Sequence, residues 1–166
     1  MYPNLDLLEK NLSLLFVGYN PSIVTAETGH HYANPTNRFW KILYLSGITD
    51  RLYSPQEDYK LLQEGIGFTN IVERPTKAAS EITKEEYKLG RMELIKKIRL
   101  YKPKIVCFVG KGVYLHYSGK REANWGKQPD SLIEGVIEFA APSSSGLVRM
   151  KLDQITNIYK EVHDYM

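Results

Sequence analysis

Leu14-Leu15-Phe16-Val17-Gly18-Tyr19-Asn20-Pro21-Ser22 joins an uninterrupted apolar run to a turn built of Gly, Asn, Pro and Ser. Four apolar residues in succession leave no polar face for water, so the run predicts a strand buried on both sides, as in a parallel sheet covered by helices. Ile105-Val106-Cys107-Phe108-Val109, closed by Gly110, repeats the arrangement. A third run, Val136-Ile137-Glu138-Phe139-Ala140, is more polar and stops before Pro142, which places it nearer a sheet edge.

Between these runs the apolar period changes. From Thr36 through Leu45, Phe39, Trp40, Leu43 and Tyr44 recur at helical spacing, and Gly47 follows as a C′ residue. Thr83-Lys84-Glu85-Glu86 matches a capping box, and the helix it opens carries Tyr87, Leu94, Ile95 and Ile98 before Pro103 forbids continuation. Leu152, Ile155, Tyr159 and Val162 share one stripe, predicting a closing amphipathic helix. Strand, helix and strand in alternation give an α/β class, a three-layer α/β/α architecture with a central, mostly parallel sheet. In such sheets the ligand lies outside the carboxyl ends of the strands, so the segments of interest are Gly18–Tyr32, Gly110–Tyr114 and Ala141–Arg149.

The length of 166 residues suits a single domain over 1–166. No apolar run approaches the roughly 18 residues of a membrane span, and Met1–Lys10 does not read as a secretory leader. The formal charge of +3 is compatible with a polyanionic partner without arguing for one. One cysteine, Cys107, excludes a disulfide framework, and the histidines, His30, His31, His116 and His163, lack metal-binding spacing. No metal or cofactor is expected. Gly65-Ile66-Gly67 lacks the third glycine of a dinucleotide motif, and no Gly-Lys pair has the surroundings of a phosphate loop.

Asn20 directly follows the first strand and is placed to overhang a cleft, although Asn20-Pro21 taken alone reads first as a turn. Its continuation changes that. Gly-x-Asn-Pro at 18–21, Gly-His-His-Tyr at 29–32, Asn37 with Phe39-Trp40-Lys41, Gly-Ile-Gly-Phe-Thr-Asn at 65–70, Val-Glu-Arg-Pro-Thr at 72–76 and Pro-Ser-Ser-Ser-Gly-Leu at 142–147 occur in order. Together they closely resemble the mismatch-specific uracil/thymine-DNA glycosylases, the second family of the uracil-DNA glycosylase superfamily, from about Leu14 to the last helix. Arg74-Pro75-Thr76, Trp125-Gly126-Lys127-Gln128 and Ser145-Gly146-Leu147 look like the bacterial branch, while His30-His31-Tyr32 and Ser143-Ser144-Ser145 look like the eukaryotic one.

The resemblance implies a uracil-DNA glycosylase-like fold and a division of labour. Such an enzyme extrudes its base, grips it and delivers water to C1′. Asn20 would position that water. Superfamily relatives with an aspartate there have a stronger acceptor, so chemistry through an amide should be slower and lean on the leaving group. Thr76 would be the second water-positioning residue, and Tyr32 the ring that stacks on the base. Asn70 would face the base's polar edge, where an amide both donates and accepts and where the bacterial branch has lysine. Thr25 would crowd a C5 methyl. Tyr19 and His31, inside the matching loops, join the base-contacting set. Catalysis or metal binding by His30 and His31 is set aside, because adjacent loop residues point apart and no third ligand accompanies them.

Ser143, Ser144, Ser145 and Gly146 would hold phosphates, with Leu147 as a wedge into the gap left by the base. Composition alone would make this a Ser/Gly linker with Leu147 in the core. Arg149 would meet the DNA backbone or the orphaned base, and Lys111 and Lys127 would meet phosphates. No lysine stands at 20 or 76 to form a Schiff base, so lyase chemistry is not expected.

The expected activity is therefore that of a monofunctional DNA glycosylase hydrolysing the N-glycosidic bond of uracil, and also thymine or etheno-cytosine, in G-mismatched DNA to start base excision repair. A catalytically weak lesion-binding module is the alternative reading, and a flavodoxin-like small-molecule domain is opposed by the missing phosphate loop. The partner would be double-stranded DNA carrying a mismatched or damaged base, met by a monomer with no membrane association. The absence of extended polar tails favours a cytoplasmic, nucleoid-associated prokaryotic enzyme over a nuclear one.

Overall fold

Each apolar run forms a strand because both of its faces find cover. In the computed structural model, which describes residues 2–166, β1 spans Leu14–Gly18, β2 Ile66–Asn70, β3 Ile105–Val109, β4 Gly126–Lys127 and β5 Ile137–Ala141. They form one sheet in the order β2-β1-β3-β5-β4, parallel except for the short antiparallel β4. Helices are α1 (Ile23–Thr28), α2 (Phe39–Leu45), α3 (Lys84–Tyr101), α4 (Lys111–Ser118) and α5 (Leu152–Tyr165), with a 3-10 helix over Pro55–Glu64. The expected α/β three-layer arrangement with a mostly parallel sheet is borne out.

Period-2 alternation divides the strands between two cores. Leu14, Phe16, Ile105, Cys107, Val109 and Phe139 face α2 and α5, where Phe39, Ile42, Ile155, Tyr159 and Val162 pack. Leu15, Val17, Val106, Phe108 and Ala140 face α3 and α4 with Leu94, Ile98, Val113, Tyr114 and Tyr117. Burial in the sheet's centre also raises the pKa of the Cys107 thiol, keeping it protonated.

Several local expectations change. β2 carries Gly67 and reads poorly as a strand, yet it pairs along its length with β1, and a Cβ at Gly67 would meet the Leu7 carbonyl at 2.5 Å. Leu7 itself bridges antiparallel to Phe68, so the N-terminal segment covers the β2 edge. β5 lies next to the sheet's margin, nearer an edge than β3, with only the short β4 paired to its outer side. The helix read from Thr36 begins at Phe39, since the Asn37 side chain accepts the Phe39 N–H at 2.9 Å and holds the preceding turn open. The capping box does form: Thr83 Oγ1 accepts from Glu86 N at 3.2 Å while Glu86 Oε1 accepts from Thr83 N at 3.0 Å.

The strand order reverses about β1, with β2 on one side and β3 on the other. That switch point opens a crevice at the carboxyl ends of the strands. Among the described residues no helix is long and apolar enough to cross a membrane.

Candidate active site

A cleft of about 450 Å³ lies over this crevice, a size suited to a small planar ligand. Its lining brings together Tyr19, Asn20, Thr25, His31, Tyr32, Asn70, Thr76 and the Ser143–Leu147 turn. These come from segments spread over more than three-quarters of the chain, most of them at or just beyond a strand end.

Asn20 follows β1, half-buried. Its Nδ2 donates to the Arg74 carbonyl and to Thr76 Oγ1, both at 2.7 Å. Thr76, buried, donates its own proton to the Ala78 carbonyl at 2.8 Å, which makes it an acceptor toward Asn20. Flipping the amide would set Oδ1 against the Arg74 carbonyl, two acceptors with no proton between them. Oδ1 is therefore the atom left to accept from a ligand. The Arg74 main chain is steadied by its own side chain, whose Nε and Nη2 contact Glu86 at 2.8 and 3.0 Å. That guanidinium, together with the Thr83 N–H, holds the Glu86 carboxyl at about 2.

Gly18 pairs with Asn70 across β1 and β2. A Cβ at Gly18 would lie 2.6 Å from Asn70 Oδ1 and 3.1 Å from the Tyr32 hydroxyl, so bare backbone is required between them. The Tyr32 ring stacks on Phe39 at 3.8 Å between centroids and 12° between planes. One face is covered and the ring still lines the cleft, while burial of the phenol pushes its pKa well up. Tyr32 has φ +51°, a left-handed conformation that costs a non-glycine residue on the order of 1–3 kcal/mol.

The loop bearing Tyr32 is tied on both sides. Asp58, buried in the 3-10 helix, accepts the His31 N–H on Oδ2 at 2.8 Å and contacts His30 Nδ1 through Oδ1 at 3.1 Å. His31 Nε2 lies 2.6 Å from the Leu5 carbonyl, which can only accept, so that nitrogen carries the proton. Burial lowers the His31 pKa and keeps the ring neutral. The two histidine rings take different partners, His30 the Asp58 carboxylate and His31 the Leu5 carbonyl. Thr25, buried beneath the loop, accepts from Ala33 N at 3.4 Å.

Tyr19 lies flat on the first turn of α4, where a Cβ at Gly110 would fall 2.7 Å from its ring and one at Gly112 would overlap its hydroxyl. Burial raises the pKa of that phenol against the opposing N–H groups of Gly112 and Val113.

Leu147 is 93% exposed at the cleft's rim, outside either core. Beneath it, Ser143 Oγ accepts from Ser145 N and Ser145 Oγ accepts from Leu147 N, both at 3.2 Å, leaving each hydroxyl proton free to donate. Ser144 is buried, and Arg149 is exposed beyond the cleft. Lys111 and Lys127 lie over the Trp125 and Tyr165 rings, 4.1 and 5.2 Å from the centroids, and not in the cleft. Among the described residues no group of three or more His, Cys, Asp or Glu could hold a metal ion.

The model of the uracil DNA glycosylase superfamily matches residues 5–163 of this chain. The chain belongs to the uracil DNA glycosylase superfamily. The solution NMR structure of a Methanosarcina acetivorans protein described as a uracil DNA glycosylase superposes with a TM-score of 0.57 at 19% identity, covering 98% of this chain and 96% of that one. That likeness concerns the fold. Superfamily membership implies uracil DNA glycosylase activity for the chain, with DNA its partner.

Sequence reading missed two groups of residues here. Asp58 and Leu5 hold the Tyr32 loop from 26 to 28 positions away, and Arg38 reaches the Leu147 turn from more than 100. Only the proximity of Arg38 to the Phe39-Trp40 marker could have drawn notice to it.

Proposed function

We propose that the chain is a mismatch-specific monofunctional uracil-DNA glycosylase, hydrolysing uracil opposite guanine faster than thymine, with etheno-cytosine a further substrate class. The observation that carries this reading is the Asn20 amide, locked by Arg74 and Thr76 with Oδ1 as its open acceptor. A water donating to Oδ1 has its oxygen lone pair turned toward C1′ of a nucleotide whose base sits against Tyr32. As the C1′–N1 bond breaks, the pair of electrons leaves with uracil, and water oxygen bonds to the cationic sugar. The proton lost by water balances the one gained by the departing base. Asn20 orients and does not take that proton, so the rate rests on positioning and on how well uracil leaves.

Asn70 Oδ1 and Nδ2 present an acceptor and donors to the polar edge of the base, Thr25 limits the space at C5, and Leu147 fills the vacated stack. These assignments rest on placement around one cleft.

Single-turnover excision and gel-shift affinity on one uracil·guanine duplex test the reading. Asn20→Ala should lower excision about 10²-fold or more and leave binding largely intact, as expected for losing a positioned water. A parent protein that binds this duplex without releasing uracil would be a lesion-binding module instead.

A further inference from the structure

We propose that Arg38 is the positioning residue that sets the reach of Leu147, a proposal that rests on the wedge reading given above. Leu147 is almost wholly exposed, so no packing of its own side chain fixes it. Its position is only as definite as the backbone beneath it. That backbone is gathered by Arg38: Nη1 donates to the Met150 carbonyl at 3.3 Å, and Nη2 to the Ser145 and Val148 carbonyls at 3.2 and 3.3 Å. The main-chain N–H of Arg38 adds the Ser144 carbonyl at 2.9 Å. Four carbonyls of a seven-residue stretch thus converge on one residue more than a hundred positions away.

Three carbonyl oxygens turned toward one point repel each other unless a cation lies among them. A planar guanidinium serves all three at once, whereas an ammonium on a flexible stem has no such fixed fork. The remaining donor, Nε, is buried without an acceptor. The contacts of the other two nitrogens offset that cost. Gly146 lies against the same segment, where a Cβ would approach the Thr36 carbonyl to 2.7 Å, so the turn is seated closely as well as clamped. With its nitrogens turned to these carbonyls, Arg38 is a poor candidate for contacting DNA itself.

Adjacent residues then tie together two parts of the site. Phe39 backs the ring of Tyr32, and Arg38 beside it holds the Leu147 turn. The span from the base pocket to the wedge is set at the entrance to α2. Preorganising that span removes an ordering cost from the encounter with stacked DNA, and it matters least where no stack has to be opened.

The experiment measures single-turnover uracil excision from a uracil·adenine duplex, a uracil·guanine duplex and a single strand, with thermal denaturation alongside. The variants are Arg38→Met, Arg38→Lys, Leu147→Ala and Arg38→Met combined with Leu147→Ala. Arg38→Met is expected to lose about tenfold on uracil·adenine and little on the single strand, with Arg38→Lys in between. The double variant should be no slower on the duplex than Leu147→Ala. Equal losses on all three substrates in both Arg38 variants would make Arg38 a merely structural residue and overturn the proposal. Additive losses in the double variant would also overturn it, because Arg38 would then act without Leu147. If Leu147→Ala itself shows no preference among the substrates, the wedge reading fails and the proposal falls with it, a result distinct from the other two.

Discussion

Thr76 and Asn20 immobilise each other. The threonine hydroxyl accepts an Asn20 amide proton at 2.7 Å while giving its own to the Ala78 carbonyl at 2.8 Å, so neither side chain can rotate without freeing the other. In the proposed mechanism Thr76 therefore acts by holding the Asn20 amide more directly than by binding the water.

Thr76→Val keeps the shape and removes the acceptor. It should slow single-turnover excision roughly 10-fold, the scale of one hydrogen bond lost from the reacting geometry. Thr76→Ser should recover most of the rate. A valine variant as fast as the parent would detach Thr76 from the orientation of Asn20.

Thr25 is buried at the cleft wall. One methyl of pocket space is worth roughly 1–3 kcal/mol, or 10–200-fold in discrimination. Uracil opposite guanine should therefore be excised faster than thymine opposite guanine, and Thr25→Ala should narrow the ratio. Equal parent rates on the two duplexes would remove Thr25 from selectivity.

The first two elements of the sheet's centre were legible for a simple reason. β1 and β3 are covered on both faces, so their sequences are apolar throughout. β2 was not, because Gly67 trades its side chain for close approach of the Leu7 carbonyl, a partner invisible from the local pattern. Asn20, just past β1, could be placed from position alone once that strand was inferred, whereas Asn70, at the end of the unread β2, came only from the family resemblance. The orientation of the Asn20 amide could not be read, since it depends on a carbonyl at position 74 and a hydroxyl at 76. Arg38 was silent for the same reason: its partners are main-chain oxygens, which no residue pattern announces.

His31 couples the Tyr32 loop to acidity. Burial lowers its pKa in the folded protein below the ordinary value near 6.5, so the unfolded chain binds more protons as pH falls through that value. Stability should be full above about pH 6.5 and decline on acidification toward the folded pKa. Melting temperatures between pH 8 and 5 should show this slope. His31→Gln, whose amide can still donate to the Leu5 carbonyl, should flatten it, and an unchanged slope would assign the effect elsewhere.

Glu138 behaves oppositely on the far side of the sheet. It is buried on β5, with Oε2 accepting from Leu132 N at 2.9 Å, and burial raises its pKa above the ordinary carboxyl range. The folded state then holds a proton that the unfolded state has released, so stability falls as pH rises from the unfolded value near 4.3 through the folded one. Glu138→Gln keeps the acceptor for Leu132 and needs no proton. It should raise the melting temperature at neutral pH by a few degrees and leave it nearly unchanged at about pH 4. A neutral-pH loss would mean that the carboxylate is satisfied as an anion.

Bare backbone at Gly18 has a consequence for redesign. The residue already has the smallest side chain available, and its strand is paired to β2 up to Asn70. No substitution can lower this floor, and lengthening a neighbouring loop would not move it either, because it belongs to the ladder. Recruiting the site to bulkier bases must therefore proceed by trimming its walls at Thr25 and Asn70. Depth was settled when the sheet closed, and breadth is the dimension left open to selection.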